Sequence, residues 1–60
     1  MKQLITQAIK IRKHDIVRQS GAFLCKVHSV RTDGGYIVLN NEHYLDPSEE
    51  VVIEREEHHG

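Results

Sequence analysis

The sequence predicts a small, mainly β domain of four or five short antiparallel strands. Its 60 residues allow one domain, because a chain of this length buries only about 60% of the surface that its unfolded form exposes. From position 14 onward, short apolar runs alternate with turn residues. The clearest turn is 32–35, where two glycines follow an aspartate and supply the positive φ angles that a tight hairpin needs. A domain of this size and class leaves little room for a catalytic cleft.

The first segment predicts a short helix over residues 2–10, within an N-terminal helical region of 1–12. Apolar residues recur there at helical spacing, with polar residues on the other side: Met1, Leu4, Ile5, Ala8 and Ile9. In the alternative interpretation, Ile9 and Ile11 alternate as strand positions. A helix of at most three turns is marginal alone, so we expect it to dock on the rest of the domain or on a partner.

Residues 13–55 are predicted to form a small β-barrel. A short strand at 15–18 ends in a loop at 19–21, and 22–31 is the longest strand candidate. Alternation places Phe23, Cys25 and Val27 on one face of that strand. Val30 breaks the alternation, although it suits burial as well as Val27 does, which indicates a bulge or a sharp bend.

The second half of the predicted barrel continues from the hairpin at 32–35. Strands are expected at 36–39, 43–45 and 50–54, with a turn at 40–42. Residues 46–49 read Asp-Pro-Ser-Glu, a capping pattern that predicts one helical turn before the last strand. The acidic and histidine-rich tail at 56–60 is predicted to fray.

This arrangement resembles an SH3-like small β-barrel, with a pattern similar to Tudor and KOW domains. The resemblance rests on 15–18, the Val27 and Val30 pair, 35–38, and 46–49 before Val51. KOW-type domains have a further glycine ahead of the bent second strand, and His14 stands where a glycine is expected before Asp15. The resemblance implies a non-enzymatic module that binds nucleic acid, peptides or proteins on its outside.

Charge is divided between the two halves of the chain. Residues 1–31 hold seven basic residues against the single acid Asp15, a net charge of +6, whereas 32–60 hold eight acids against Arg55 alone, a net charge of −7. The basic half predicts contacts with the phosphates of DNA or RNA, from Lys10, Arg12, Lys13, Arg18, Lys26 and Arg31. In the alternative interpretation, the two halves interleave in space and neutralise each other.

A partner protein, or a second copy of the chain, is the other predicted ligand. A short chain with a marginal core gains stability by covering apolar residues, and five candidates for such a surface are Leu4, Ile5, Ile9, Tyr36 and Tyr44. The two tyrosines are also candidates for stacking on bases, although partial burial with the hydroxyl groups in water is the favoured explanation.

Catalysis and metal binding are not predicted. Cys25 could act as a nucleophile with His43, or as a metal ligand with His43 or His28. However, no residues have the spacing of a zinc motif, and Cys25 is expected to face the core. No cofactor, small-molecule substrate or membrane segment is expected. One cysteine and no signal-peptide pattern predict a cytoplasmic protein.

The sequence thus predicts a binding module without enzymatic activity. Protein interaction, as a small regulator or a homo-oligomer, is the leading hypothesis. Binding to nucleic acid in transcription or translation is the alternative.

Overall fold

The computed structural model of the chain describes residues 2–56 and shows a mainly β protein. Seven short strands follow one another along the chain, and the only helical element among the described residues is a single 3-10 turn at Ala8–Lys10. The strands are β1 (Lys2–Gln7), β2 (Ile16–Gln19), β3 (Ala22–Lys26), β4 (Val30–Asp33), β5 (Tyr36–Leu39), β6 (His43–Leu45) and β7 (Glu50–Arg55). The tail predicted at 56–60 lies outside the described residues, apart from Glu56.

Two antiparallel sheets make up the fold. The four-stranded sheet has the order β1-β7-β2-β3, and the three-stranded sheet has the order β4-β5-β6. Strand pairing among the described residues does not join the two sheets, so the predicted closed, SH3-like barrel is not confirmed. The predicted mainly β class is confirmed. No helix among residues 2–56 has the length and apolar character needed to cross a bilayer.

The core lies between the two sheets. One row of the four-stranded sheet faces it, formed by Leu4, Ile53, Val17 and Cys25 in neighbouring registers. The three-stranded sheet contributes Ile37, Leu39 and Leu45. Ile53 is central, because β7 has β1 on one side and β2 on the other.

The predicted N-terminal helix is wrong, since residues 2–7 form β1. All six pair with β7, from Lys2 opposite Arg55 to Gln7 opposite Glu50. Leu4 and Thr6 are half-buried while Ile5 is 73% exposed, so the segment follows a period of two. A lone helix of this length gains little, whereas pairing with β7 satisfies the backbone along the whole segment.

Each of the three hairpins contains two consecutive turn residues with positive φ. Gly34 and Gly35 join β4 to β5 with φ of 58° and 85°, which confirms the turn predicted there. Ser20 and Gly21 form the turn between β2 and β3, and Asn40 and Asn41 lie in the turn between β5 and β6. Two consecutive positive φ angles are typical of type I′ turns, whose twist matches that of the paired strands.

A bulge and a break interrupt the long strand that the sequence predicts at 22–31. Cys25 lies opposite Val17 and Phe23 lies opposite Arg18, so Leu24 is an extra residue in β3. The bulge turns Phe23 outward, where it is 62% exposed, instead of into the core beside Cys25. The predicted bend is confirmed, because the chain leaves one sheet at Lys26 and enters the other at Val30.

Asn40 holds the segment that links the two sheets. Its Oδ1 accepts hydrogen bonds from the backbone N–H groups of His28 and Ser29, at 2.7 and 3.3 Å. Its Nδ2 donates to the backbone oxygen of Lys26 at 3.0 Å. One turn residue therefore fixes the crossover between the sheets.

The predicted helical turn before the last strand is a simple turn. Asp46 Oδ1 accepts hydrogen bonds from the backbone N–H of Ser48 at 2.9 Å and from its hydroxyl at 2.7 Å, and the same contacts lower the pKa of Asp46. The carbonyl groups of Pro47 and Glu49 accept hydrogen bonds from the backbone N–H groups of Ile9 and Ala8. With these carbonyls occupied, the chain does not continue as a helix.

Candidate nucleic-acid interface

A tight turn at residues 12–15 forms one wall of the candidate site. The backbone N–H of Asp15 donates to the carbonyl of Arg12 at 3.1 Å, and His14 has a φ of +80°. That angle is typical of the third residue of a type II turn, where glycine is preferred. Hydrogen bonds of 2.8 Å join His14 N–H to the carbonyl of Val27, and Val27 N–H to the carbonyl of Asp15. The turn is thereby fixed to the crossover between the sheets.

Asp15 anchors this turn from below. It is 2% exposed, and its carboxylate accepts hydrogen bonds from the backbone N–H of Arg12 at 2.9 Å and from Nε and Nη2 of Arg55 at 3.0 and 2.8 Å. Nη2 of Arg55 also donates to the carbonyl of Lys10 at 3.2 Å. Hydrogen bonding to the carboxylate raises the pKa of Arg55. The ion pair neutralises the buried carboxylate and the half-buried guanidinium, and it ties the turn to the end of β7.

An open depression of about 650 Å³ lies over this ion pair. It is lined by Arg12, Lys13, His14, Asp15, Lys26, Arg55 and Glu56. Because Asp15 and Arg55 neutralise each other, Arg12, Lys13 and Lys26 remain as the basic side chains, against Glu56. All three are exposed, and none takes part in an ion pair among the described residues. The depression is therefore a local positive surface on a chain whose net charge is −1.

The structure divides the six predicted basic residues into two groups. Arg12, Lys13 and Lys26 line the depression, and Lys10 borders it through its carbonyl bond to Arg55. Arg18 lies on the outer face of the four-stranded sheet, where its Nε is 3.4 Å from Glu54 Oε1. Arg31 lies in the three-stranded sheet, with Nη1 3.3 Å from Asp33 Oδ2. Partial interleaving of the two charged halves thus occurs at Arg18 and Arg55, and locally at Arg31.

Sequence reasoning missed the pair of Asp15 and Arg55, which are 40 positions apart. One signal was available: Asp15 is the only acid in the basic half of the chain, and Arg55 is the only base in the acidic half. The two exceptions to the charge pattern bind each other.

The five predicted partner-binding residues do not form one surface. Leu4 is half-buried and packs against the core, whereas Ile5 points to the opposite face of β1. Ile9, 60% exposed, lies in the 3-10 turn. Tyr36 and Tyr44 lie in the other sheet, half exposed, with their ring centroids 6.4 Å apart in an edge-to-face arrangement. The single stripe predicted for the N-terminal residues is lost with the helix.

Cys25 faces the core, as the sequence predicts. Burial raises the pKa of its thiol, and the nearby charge of Glu42 raises it further. A raised pKa keeps the thiol protonated, and the thiol is a poor nucleophile and metal ligand. Within residues 2–56, no three side chains of His, Cys, Asp or Glu converge to hold a metal ion.

Replacing His14 with glycine is expected to raise the free energy of unfolding by about 0.5–1 kcal/mol. A non-glycine residue in the left-handed region costs about 1–2 kcal/mol, and the greater freedom of glycine in the unfolded chain offsets part of the gain. Urea denaturation followed by circular dichroism measures the change. Lys13→Gly is the control and is expected to lower stability. A loss of stability in His14→Gly would contradict the strain and show that the ring makes stabilising contacts.

Comparison of the chain with protein-family models, curated proteins and solved structures finds no match. A fold class on its own does not select a function, so function is inferred from the geometry of the site.

Proposed function

We propose that the chain binds the phosphate backbone of a nucleic acid at the basic depression. The observation that carries this proposal is the cluster of Arg12, Lys13 and Lys26 around a neutralised ion pair. Guanidinium and ammonium groups that are free of carboxylate partners are available to phosphate oxygens. Releasing counterions from a nucleic acid then supplies affinity that falls with salt.

The turn at 12–15 supports the same function. Its hydrogen bonds to Val27 hold Arg12 and Lys13 in a fixed position relative to the start of the crossover, next to Lys26. His14 keeps a side chain at a position where glycine is less strained, and such strain is concentrated at functional sites. His14 is accordingly proposed as a fourth contact at the rim. The SH3-like arrangement remains a prediction of the sequence, and it is compatible with a ligand bound on the outside.

Fluorescence anisotropy with labelled single-stranded and duplex oligonucleotides tests the proposal. The double variant Arg12→Gln/Lys13→Gln is expected to weaken binding about tenfold or more at low salt, because two phosphate contacts are lost. Each phosphate contact adds about 0.7 to the slope of log K against log salt for a single strand and about 0.9 for a duplex. Losing two contacts is therefore expected to make the slope shallower by about 1.4 for a single strand and about 1.8 for a duplex. A matching Lys26→Gln variant is expected to lose one contact.

The control is Arg18→Gln/Arg31→Gln, which removes the same charge from residues that lie away from the depression in ion pairs. Its affinity is expected to stay within about twofold of the unsubstituted chain. Equal losses in both double variants would show that net charge, rather than the depression, controls binding. The absence of binding by the unsubstituted chain at low salt would refute the proposed function.

Protein interaction is the second candidate function. The observation that favours it is the exposed apolar residue Ile5 on β1, which ends the four-stranded sheet. No catalytic function is proposed.

A further inference from the structure

The four-stranded sheet has one edge that lacks the usual protection against pairing with another chain. Each sheet ends in two edge strands, and three of the four are protected. β3 contains the bulge and ends in Lys26, β4 carries Arg31 and Asp33, and β6 has only three residues. Bulges, charged side chains and short length are the features by which proteins prevent edge-to-edge association.

β1 has none of these features along most of its length. Its six residues keep one continuous register with β7, without a bulge. Residues 3–7 read Gln-Leu-Ile-Thr-Gln and contain neither a charge nor a proline, in a chain that is 28% charged. Among the described residues, the backbone hydrogen bonds of turns, loops and caps do not involve residues 2–6, whose pairing partner is β7. The backbone of this edge is thus open to a further strand.

A row of side chains on the outer sheet face ends at the same edge with two apolar residues, Val52 and Ile5. Ile5 lies beside Val52, Val52 beside Arg18, and Arg18 beside Phe23. Ile5 is the most exposed large apolar side chain of the described residues, at 73%. The row therefore reaches the edge with its most exposed apolar residue.

We propose that a second copy of this chain pairs with β1, antiparallel and about a twofold axis at Ile5. Residues directly opposite each other in a sheet share a face, so the twofold axis passes midway between one residue of the strand and the same residue of the partner strand. With the axis at Ile5, the partner's Ile5 lies opposite Ile5, and Leu4 lies opposite the partner's Thr6. With the axis at Leu4, Ile5 would instead face a glutamine. The axis at Leu4 would pair two Leu4 side chains, but Leu4 already packs against its own core whereas Ile5 is 73% exposed. Cover for the exposed Ile5 therefore selects the register at Ile5.

This dimer has one continuous eight-stranded sheet and no charged residue within the paired segments 3–7. On the outer face, the row from Phe23 to Ile5 continues into the same row of the partner. On the inner face, the half-buried side chains of Leu4 and Thr6 gain cover. Self-association of this kind adds stability to a domain too small to build a large core.

Sedimentation equilibrium across a range of concentrations tests the proposal. The unsubstituted chain is expected to shift toward twice its 6.9 kDa mass as concentration rises. Ile5→Lys is expected to remain a folded monomer, because Ile5 is exposed in the single chain and the substitution places two lysines opposite each other in the dimer. Ile9→Lys is the matched control, also exposed but outside the strand, and is expected to dimerise. A monomeric unsubstituted chain, or a dimeric Ile5→Lys variant, would overturn the proposal.

Disulfide cross-linking tests the register. In Ile5→Cys, the new cysteines of the two copies have Cβ atoms about 4.5–5.5 Å apart, near the distance for a disulfide. The control is Gln3→Cys, which lies on the same face of β1 as Ile5. There the Cβ atoms of the two introduced cysteines are about 14 Å apart along the strands. Oxidation is expected to link Ile5→Cys and not Gln3→Cys, and the native Cys25 is buried. Equal cross-linking of both variants would contradict the twofold register at Ile5.

Discussion

Replacing Asp15 with alanine is expected to lower the free energy of unfolding by about 3–5 kcal/mol. The substitution leaves the guanidinium of Arg55 without its ion partner and the backbone N–H of Arg12 without its acceptor. A chain of 60 residues has a total stability of about 3–9 kcal/mol, so the loss approaches the whole of it. Urea denaturation and the circular dichroism spectrum measure the fraction folded, which is expected to fall sharply.

Two further variants separate the buried charge from the loss of contacts. Asp15→Ala/Arg55→Met removes both charges and is expected to be more stable than Asp15→Ala alone, because no charge is left uncompensated. Glu54→Gln breaks the more exposed pair with Arg18 and is expected to cost about 1 kcal/mol or less. If Asp15→Ala costs no more than Glu54→Gln, the ion pair does not anchor the turn.

Replacing Ile53 with alanine is expected to lower the free energy of unfolding by about 2–5 kcal/mol. Ile53 is fully buried in the central strand β7, between Leu4 on β1 and Val17 on β2. Removing its side chain leaves a cavity that paired strands on both sides prevent from collapsing. Urea denaturation measures the change, with the slope of the transition expected to stay constant.

The control for this prediction is the preceding residue in the same strand, Val52. Val52 points to the outer face and is half-buried, so Val52→Ala is expected to cost about 1 kcal/mol or less. Similar losses at the two positions would contradict the assignment of Ile53 to the inner face and Val52 to the outer face.

Turns were predictable where residue chemistry decides the backbone. Gly34 and Gly35 tolerate positive φ, and the hairpin forms where the sequence predicts it. The N-terminal segment was not predictable in this way, because Leu4, Ile5 and Ala8 fit a helical stripe, whereas in the strand Leu4 and Ile5 lie on opposite faces. The choice depended on β7, about 50 positions away, which supplies a paired strand for β1. The bulge at Leu24 likewise follows from the register with β2.

Part of the candidate site was predictable because its residues are adjacent in sequence. Arg12 and Lys13 share one turn, so the basic cluster at that position survives in the structure. Lys26 joins them only through the bonds that fix Val27 to the turn. Arg18 carries the same charge but points to another face, next to Glu54. Charge along the sequence identifies candidates, and strand pairing decides which of them meet.

The position of β7 has a consequence for how the chain folds as it leaves the ribosome. β7 comes last along the chain among the described strands, yet it lies between β1 and β2, and its Arg55 completes the ion pair with Asp15. Until β7 emerges, strands can pair only with their neighbours in sequence: β2 with β3, β4 with β5, and β5 with β6. Strand β1 therefore stays unpaired until β7 emerges, and the four-stranded sheet closes in a late, long-range step.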